Sequence, residues 1–500
     1  MNTIRCITIA LLVCFLTNSI AQITDYPEQV IIQDERLLPL KDTIQSWIDR
    51  RLIPSMAIGV IQHGKVIWLE AFGLADREKK IPATPQTIYP LGSMSKSISS
   101  TGVMTLVEKG KLDLEESVNL RIRTARLQAV KWDTDQVKVW HILNCSAGIP
   151  HGWASFNDPQ SYPRSDSEKD HFLEQYGVIT LPPGQFFSYS NYSFGVADLL
   201  MERVSGQPLE TYLQENLFGP LGMKNTHTTY FSDLDAPYAM TYHRDLSVFG
   251  RLTSIPYGGL GYYSSVADLI RYAALHLKQF PQSEKMILSP ENVQRMHHFP
   301  QSSSKRFGLG WHDMGHALVS NGSVTGGNSH LSLLSKEELA VICLTNITAF
   351  NGYADQMADM IIDALVPDLV RQMTYETYMA EYEPPYQLHP DLAGKWAGTI
   401  YTGNQKIPLS LEFPPDGSVM LQVATEKKQK LENVIFNKYG LLNANFSGRI
   451  PLPYFAGNEP INYELVLYLT DGELVGHVAG AFSNEEGSFR FGVFTKLQRQ

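Results

Sequence analysis

Residues 91–110 read LGSMSKSISSTGVMTLVEKG. Met94, Ile98, Gly102 and Leu106 recur every fourth position and Gly110 stops the pattern, which predicts a helix from about residue 94 to 109. Ser93 and Lys96 then stand three apart at its first turn and face the same side. A serine hydroxyl is a poor nucleophile without an adjacent base, and a lysine serves as that base once burial or a neighbouring cation lowers its pKa. The helix N-terminus adds backbone N–H groups and positive potential where an oxyanion would form. The same S-x-x-K spacing recurs at Ser302 to Lys305, in a polar stretch after Pro300 with no apolar-periodic helix behind it.

Downstream, Tyr189-Ser190-Asn191 follows the turn signal Pro182-Pro183-Gly184 and precedes a helix that runs to Gly206. A tyrosine there can act as base or proton shuttle, and an asparagine can hold a substrate amide with both halves of its own. Further on, Val324-Thr325-Gly326-Gly327 precedes strands ending at Thr345-Asn346. Small residues at that point let a substrate lie along a sheet edge with a backbone N–H aimed at its carbonyl.

In the order S-x-x-K, Y-x-N and T-G-G, with first residues 96 and 136 positions apart, the chain resembles the serine β-lactamase and penicillin-binding protein superfamily. It is most similar to the class C β-lactamase-related branch of esterases, D-aminopeptidases and carboxypeptidases. Other matching stretches include His141 to Leu143, Ser146 to Pro150, Pro220 to Met223, and Gly258-Gly259-Leu260 through Leu269; the resemblance covers about residues 30–350. It implies Ser93 as the acylated nucleophile, with Lys96 and Tyr189 sharing the base role. It also implies Asn191 on the acyl amide, Val324 to Gly327 along the substrate, and the Ser93 and Gly327 N–H groups as the oxyanion hole. The family usually places Lys or His directly before the Thr-Gly pair, where this chain has Val324. Losing a charged hydrogen bond there should weaken carboxylate-bearing substrates by about tenfold to a hundredfold. His330 stands where a glycine is common, and reads either as a restored cation or as a strand histidine filling space.

The expected function is therefore a serine hydrolase acting on esters or amides of small acyl or D-peptide substrates. The alternatives are a β-lactamase or D,D-carboxypeptidase, and a non-catalytic ligand-binding protein of the same fold. No cofactor is expected. His312 and His316 have a metal-ligand spacing only on a helix, and Gly308, Gly310 and Gly315 argue for strands, so no metal is expected. H-E-x-x-H, G-x-S-x-G and phosphate-binding glycine loops are absent from the sequence.

The fold class expected is α+β, an antiparallel sheet flanked by helices, with a small C-terminal antiparallel β-barrel. A helix near Leu40 to Arg51 leads to a hairpin around His63-Gly64, and a late strand set lies between 305 and 346, so the two ends should share one sheet. From about 391 the pattern alternates strictly: Ile407, Leu409, Leu411 and Phe413, the turn Asp416-Gly417, then Tyr463 to Leu469 and Asp471-Gly472. Gly394-Lys395-Trp396 resembles the opening of lipocalin-like barrels. This barrel reads as a structural appendage packing beside the main domain or as a ligand-binding module, and a chain ending near Met373 is expected to keep the chemistry at a loss of stability or access control. The division expected is a leader at 1–21, a hydrolase domain at 22–374, a linker at 375–390 and the barrel at 391–500.

The leader has Met1 to Arg5, an apolar stretch from Cys6 to about Leu16, and Ser19-Ile20-Ala21 as cleavage signal, so export to periplasm or medium is expected without a lipid anchor. No later stretch is long enough to span a membrane. A net charge of −10 on 500 residues, without a long basic run, argues against nucleic acid. Cys145 and Cys343, the cysteines outside the leader, read as buried apolar groups or one bridge.

Overall fold

The computed structural model describes residues 26–500 apart from 33, 157–164, 232–235, 251–252, 256, 280–285, 300–305, 349–351, 368, 370–389, 403–404, 437–439, 454 and 485–486. The leader, the second S-x-x-K, Met373 and most of the linker lie outside the described residues.

Helix α1 (Leu38–Asp49) leads to β1 (Ser55–Gln62) and β2 (Lys65–Asp76), joined at His63 and Gly64, whose positive φ values of 49° and 71° suit a tight hairpin. After β3 (Ile81–Pro82) come α2 (Ser95–Glu108), β4 (Trp153–Phe156), α3 (Asn191–Ser205) and α4 (Val266–His276). The chain then returns through β5 (His312–Asp313), β6 (Leu318–Val324), β7 (Gly327–Leu334), β8 (Leu339–Thr345) and α5 (Tyr353–Leu365). These strands form one antiparallel sheet in the order β5-β6-β7-β8-β1-β2-β3. Its two chain ends meet where β1 pairs with β8, from Met56 opposite Thr345 to Gln62 opposite Leu339.

Alternation along those central strands feeds two cores. Ala57, Ile61, Ile342 and Leu344 face the helical region with α2, α3 and α4. Met56, Ile58, Val60, Val341 and Cys343 face Ile44 and Trp47 of α1 and Met357, Ile361 and Ile362 of α5. Cys145 and Cys343 are buried free thiols. No helix among the described residues is long and apolar enough to cross a membrane.

The C-terminal region is a nearly closed antiparallel barrel. Its strands are β9 (Gly394–Tyr401), β10 (Lys406–Phe413), β11 (Met420–Val423), β12 (Gln429–Lys430), β13 (Glu432–Phe436), β14 (Leu441–Gly448), β15 (Ile461–Thr470), β16 (Glu473–Ser483) and β17 (Gly487–Arg499). The pairing order is β12-β11-β10-β9-β17-β16-β15-β14-β13. Trp396, Leu411, Leu421, Leu442, Leu465 and Leu497 are among the side chains that fill its interior as a packed core.

The barrel packs beside the main domain and also shares its ladder and its core. β4 pairs with β17, from Arg490 opposite Trp153 to Gly487 opposite Phe156. Phe491 stacks on Tyr176 at 4.7 Å, and Phe489 and Phe491 belong to the same buried cluster as α2 and α3. Burial of each phenylalanine contributes about 1.5–3 kcal/mol, so the barrel beside the main domain also adds to that domain's core.

Candidate active site

Helix α2 is buried nearly all round, although its sequence is rich in serine and threonine. All of their hydroxyls but that of Ser100 find partners locally or across the core: Ser97 Oγ donates to Met94 O at 3.0 Å, and Thr105 Oγ1 lies 2.6 Å from the Tyr212 hydroxyl. The short turn Gly92–Met94 precedes the helix and leaves Ser93 half-buried at its mouth. Lys96, one turn on, is buried.

The first and second motifs converge. Lys96 Nζ lies 3.0 Å from Ser93 Oγ and 2.6 Å from Asn191 Oδ1, and it also contacts the carbonyl oxygen of Gly259. The Tyr189 hydroxyl donates to Ser93 Oγ at 2.7 Å, and Lys96 Nζ sits 4.6 Å from the centre of the Tyr189 ring. Ser190 caps α3 by accepting from Ser193 N at 3.2 Å, which sets Tyr189 just outside the helix and Asn191 just inside it.

Burial lowers the Lys96 pKa to about 7, with Cys145 acting in the other direction. Burial raises the Tyr189 phenol above its usual value, with the Ser93 hydrogen bond working the other way. The amine is therefore available as a base near neutrality and the phenol keeps its proton. Two histidines flank the tyrosine: His151 meets its ring edge-on at 5.2 Å and His312 lies nearly parallel at 6.5 Å. Burial, then Lys96, lowers His312 to about 4, and burial, then Arg490, holds His151 well below its usual value. His151 Nε2 lies 3.2 Å from Asn191 Nδ2, so a neutral ring accepting there turns the other end of that amide toward Lys96.

The third motif lies elsewhere than expected. Thr325 and Gly326 form the β6–β7 turn, closed by Val324 opposite Gly327. Gly326 N donates to Thr348 Oγ1 at 2.7 Å, and a Cβ built on Gly327 would meet Pro90. The residue against Ser93 is Gly322, where a Cβ would fall 2.5 Å from Ser93 N and 2.1 Å from Leu91 O. In a two-residue hairpin the closing pair is hydrogen bonded, so Gly322 pairs inward with Ser329 and the next peptide, at Ser323, points off the edge of β6. Ser323 N lies 3.0 Å from where a Cβ of Gly92 would be. The hairpin thus brings Gly322 and the Ser323 peptide, rather than Gly327, against the Gly92–Met94 turn that carries Ser93. If Gly322 stands for the glycine of the Thr-Gly pair, the position that the resemblance gives to a cation would be Ser320, which donates to Ser97 Oγ at 2.8 Å. It is again uncharged.

His330 is engaged away from Ser93: its Nδ1 lies 2.7 Å from Asp355 Oδ1 on α5 and its Nε2 2.6 Å from Ser332 Oγ. His312 sits on the edge strand β5 against Phe307, with ring centres 4.8 Å apart.

A supporting layer fixes Lys96. Asp198 Oδ2 accepts from Gly258 N at 2.5 Å, while its Oδ1 accepts from the Tyr262 hydroxyl at 2.9 Å and Ser99 Oγ at 3.0 Å. This carboxylate anchors the 257–261 turn and so the Gly259 carbonyl on Lys96; a Cβ on Gly258 would lie 2.4 Å from Asp198 Oδ1. Asp198→Asn would set an N–H donor against one of three donors. The expected cost is about 1–3 kcal/mol of stability together with a lower kcat, read by thermal melting and steady-state assay.

The family model described as Beta-lactamase matches residues 40–366. The chain belongs to the β-lactamase family. Within the family it is 24% identical over 338 residues to the unguisins hydrolase ungD' of Aspergillus campestris, across 63% of this chain and 62% of that protein. The chain thus spans under two thirds of that relative's length. It is 25% identical over 302 residues to a β-lactamase of Escherichia coli strain K12, across 60% of this chain and 76% of that enzyme. In fold it is similar to an octameric penicillin-binding protein homologue from Pyrococcus abyssi, with a TM-score of 0.52 at 21% identity, over 92% of this chain and 100% of that one.

Proposed function

We propose that this family member hydrolyses esters or amides of small acyl or peptide substrates through an acyl-enzyme on Ser93. The observation that carries the reading is Ser93 Oγ placed 3.0 Å from a buried lysine amine and 2.7 Å from a tyrosine hydroxyl. The neutral Lys96 amine takes the Ser93 proton as Oγ bonds to the substrate carbonyl carbon. Negative charge on the carbonyl oxygen is met by the N–H groups of Ser93 and Ser323. As the tetrahedral centre collapses, Tyr189 gives its proton to the departing atom and recovers one from the Lys96 ammonium. Water then attacks the ester, its proton passing to Tyr189 and Lys96, and Ser93 Oγ regains a proton as the acid leaves.

Because Ser320 and Val324 are both uncharged, an uncharged acyl end suits the site better than a carboxylate. A fluorophosphonate probe should add to the chain with 1:1 stoichiometry by intact mass, and peptide mapping should place the adduct on Ser93. An adduct on another residue, or none, would sink the reading. A chromogenic cephalosporin turned over far faster than p-nitrophenyl esters would overturn the substrate preference.

A further inference from the structure

A cleft of about 480 Å³ opens beside Tyr189, and most of its lining comes from the barrel. The main domain contributes Tyr189, Ser188, Phe187 and His151, and the outer face of the barrel contributes Asn443, Asn445, Glu464 and Arg490. The placement follows from the period of the strands. On β14 Leu442, Ala444 and Phe446 enter the barrel core, so Asn443 and Asn445 stand on the outer wall. Asn443 is opposite Val466 and Asn445 is opposite Glu464 on β15.

A hydrogen-bond path joins this wall to the catalytic lysine. Lys96 bonds Asn191, Asn191 meets His151 Nε2 at 3.2 Å, and Arg490 Nε donates to His151 O at 3.3 Å. The Arg490 guanidinium is itself paired with Glu464. The wall's opposite charges therefore cancel, and His477, lowered to about 3 by burial and then Arg490, is neutral as well. What the cleft offers a ligand is carboxamides, each with two N–H donors and an acceptor oxygen.

We propose that the cleft between Tyr189 and the outer wall of the barrel is the leaving-group subsite, and that it takes a neutral, amide-bearing leaving group contacted by Asn443 and Asn445. This rests on the acyl-enzyme reading. There, Tyr189 hands its proton to the departing atom, so the leaving group must lie on the Tyr189 side of Ser93, where the cleft opens. A leaving peptide with amide N–H and C=O groups matches the two asparagines, whereas a charged leaving group would compete with the Arg490–Glu464 pair. Asn443 and Asn445 are thus specificity-determining residues remote from the S-x-x-K helix by more than 300 positions in sequence.

The test uses the full chain and three substrates that share one acyl group. These are its p-nitrophenyl ester, a depsipeptide ester-linked to a C-terminally amidated leaving peptide, and the same depsipeptide with a free carboxylate. The ratio of kcat/KM for the amidated depsipeptide over the p-nitrophenyl ester should fall about tenfold in Asn443→Ala/Asn445→Ala, the loss of one or two neutral hydrogen bonds. The single change Asn445→Ala, at an exposed side chain, should lower the same ratio and keeps the test readable if the double variant is unstable. An unchanged ratio in both variants, or a wild-type preference for the free carboxylate, would overturn the proposal. Fluorophosphonate labelling of Ser93 in the same preparations separates the two failures: a labelled enzyme with an unchanged ratio rejects the subsite, and an unlabelled wild type rejects the acyl-enzyme reading.

Discussion

Lys96→Met should lower kcat/KM by at least about a hundredfold, because a positioned general base contributes 10²–10⁴ to a proton-transfer step and no second base is ready to replace it. Tyr189 is pushed up by burial and keeps its proton, while His151 and His312 face the tyrosine ring rather than Ser93 Oγ. In the proposed mechanism the base of the wild type is the neutral amine. With Lys96 held at about 7, kcat/KM should rise tenfold per pH unit below that value and level off above it. The same residue leaves a signature in stability. A lysine whose pKa falls from 10.5 unfolded to about 7 folded binds more protons in the unfolded chain between those values. Stability therefore rises with pH across that window, and Lys96→Met should remove this contribution. Denaturant midpoints at pH 6 and 9 read this independently of turnover. A variant retaining more than a tenth of wild-type activity would transfer the base role to Tyr189.

How much of this was legible in the sequence depended on the distance over which each signal acts. The S-x-x-K turn and the Ser190-capped helix are local: a period of four and a cap suffice, and α2 and α3 start within two residues of where the pattern puts them. The joining of β1 to β8 was legible because both are apolar runs at the ends of one region. The barrel's hairpins were legible from strict alternation broken by Asp-Gly. Gly322 was not, because S-N-G-S-V-T-G-G holds several small residues and only the register, Val324 opposite Gly327, shows which one meets Ser93. A slip of one residue there would turn every side chain to the other face. Helix α5 went unread although Met357, Ala358, Ile361, Ile362 and Leu365 have helical spacing; its partner core is assembled from α1 and the far face of the sheet. Asn443 and Arg490 carried no local signal at all. Each is an ordinary outward residue on an alternating strand, and becomes part of the site only because β17 pairs with β4.

Gly322→Ala is the second change expected to be severe, and it separates the oxyanion site proposed at Ser323 from the one the motif suggested. The new Cβ would sit 2.1 Å from Leu91 O and 2.5 Å from Ser93 N, both backbone atoms that cannot rotate aside. β6 must therefore move away from the Gly92–Met94 turn or the turn must shift, and either displaces the Ser323 N–H relative to Ser93. Oxyanion donors act at 2.7–3.1 Å, and removing one costs about 10²–10³ in kcat. A loss of that size is expected for Gly322→Ala in kcat, with substrate KM changed much less because the ground-state carbonyl barely uses the donors. Affinity for a boronic acid, which becomes tetrahedral on Ser93, should fall in parallel with kcat. Thermal melting sets the control, since local repacking lowers stability without selecting the tetrahedral state. If Gly322→Ala kept its kcat and its boronate affinity while remaining folded, the second donor would lie elsewhere on the β6–β7 hairpin and the assignment to Ser323 would fail.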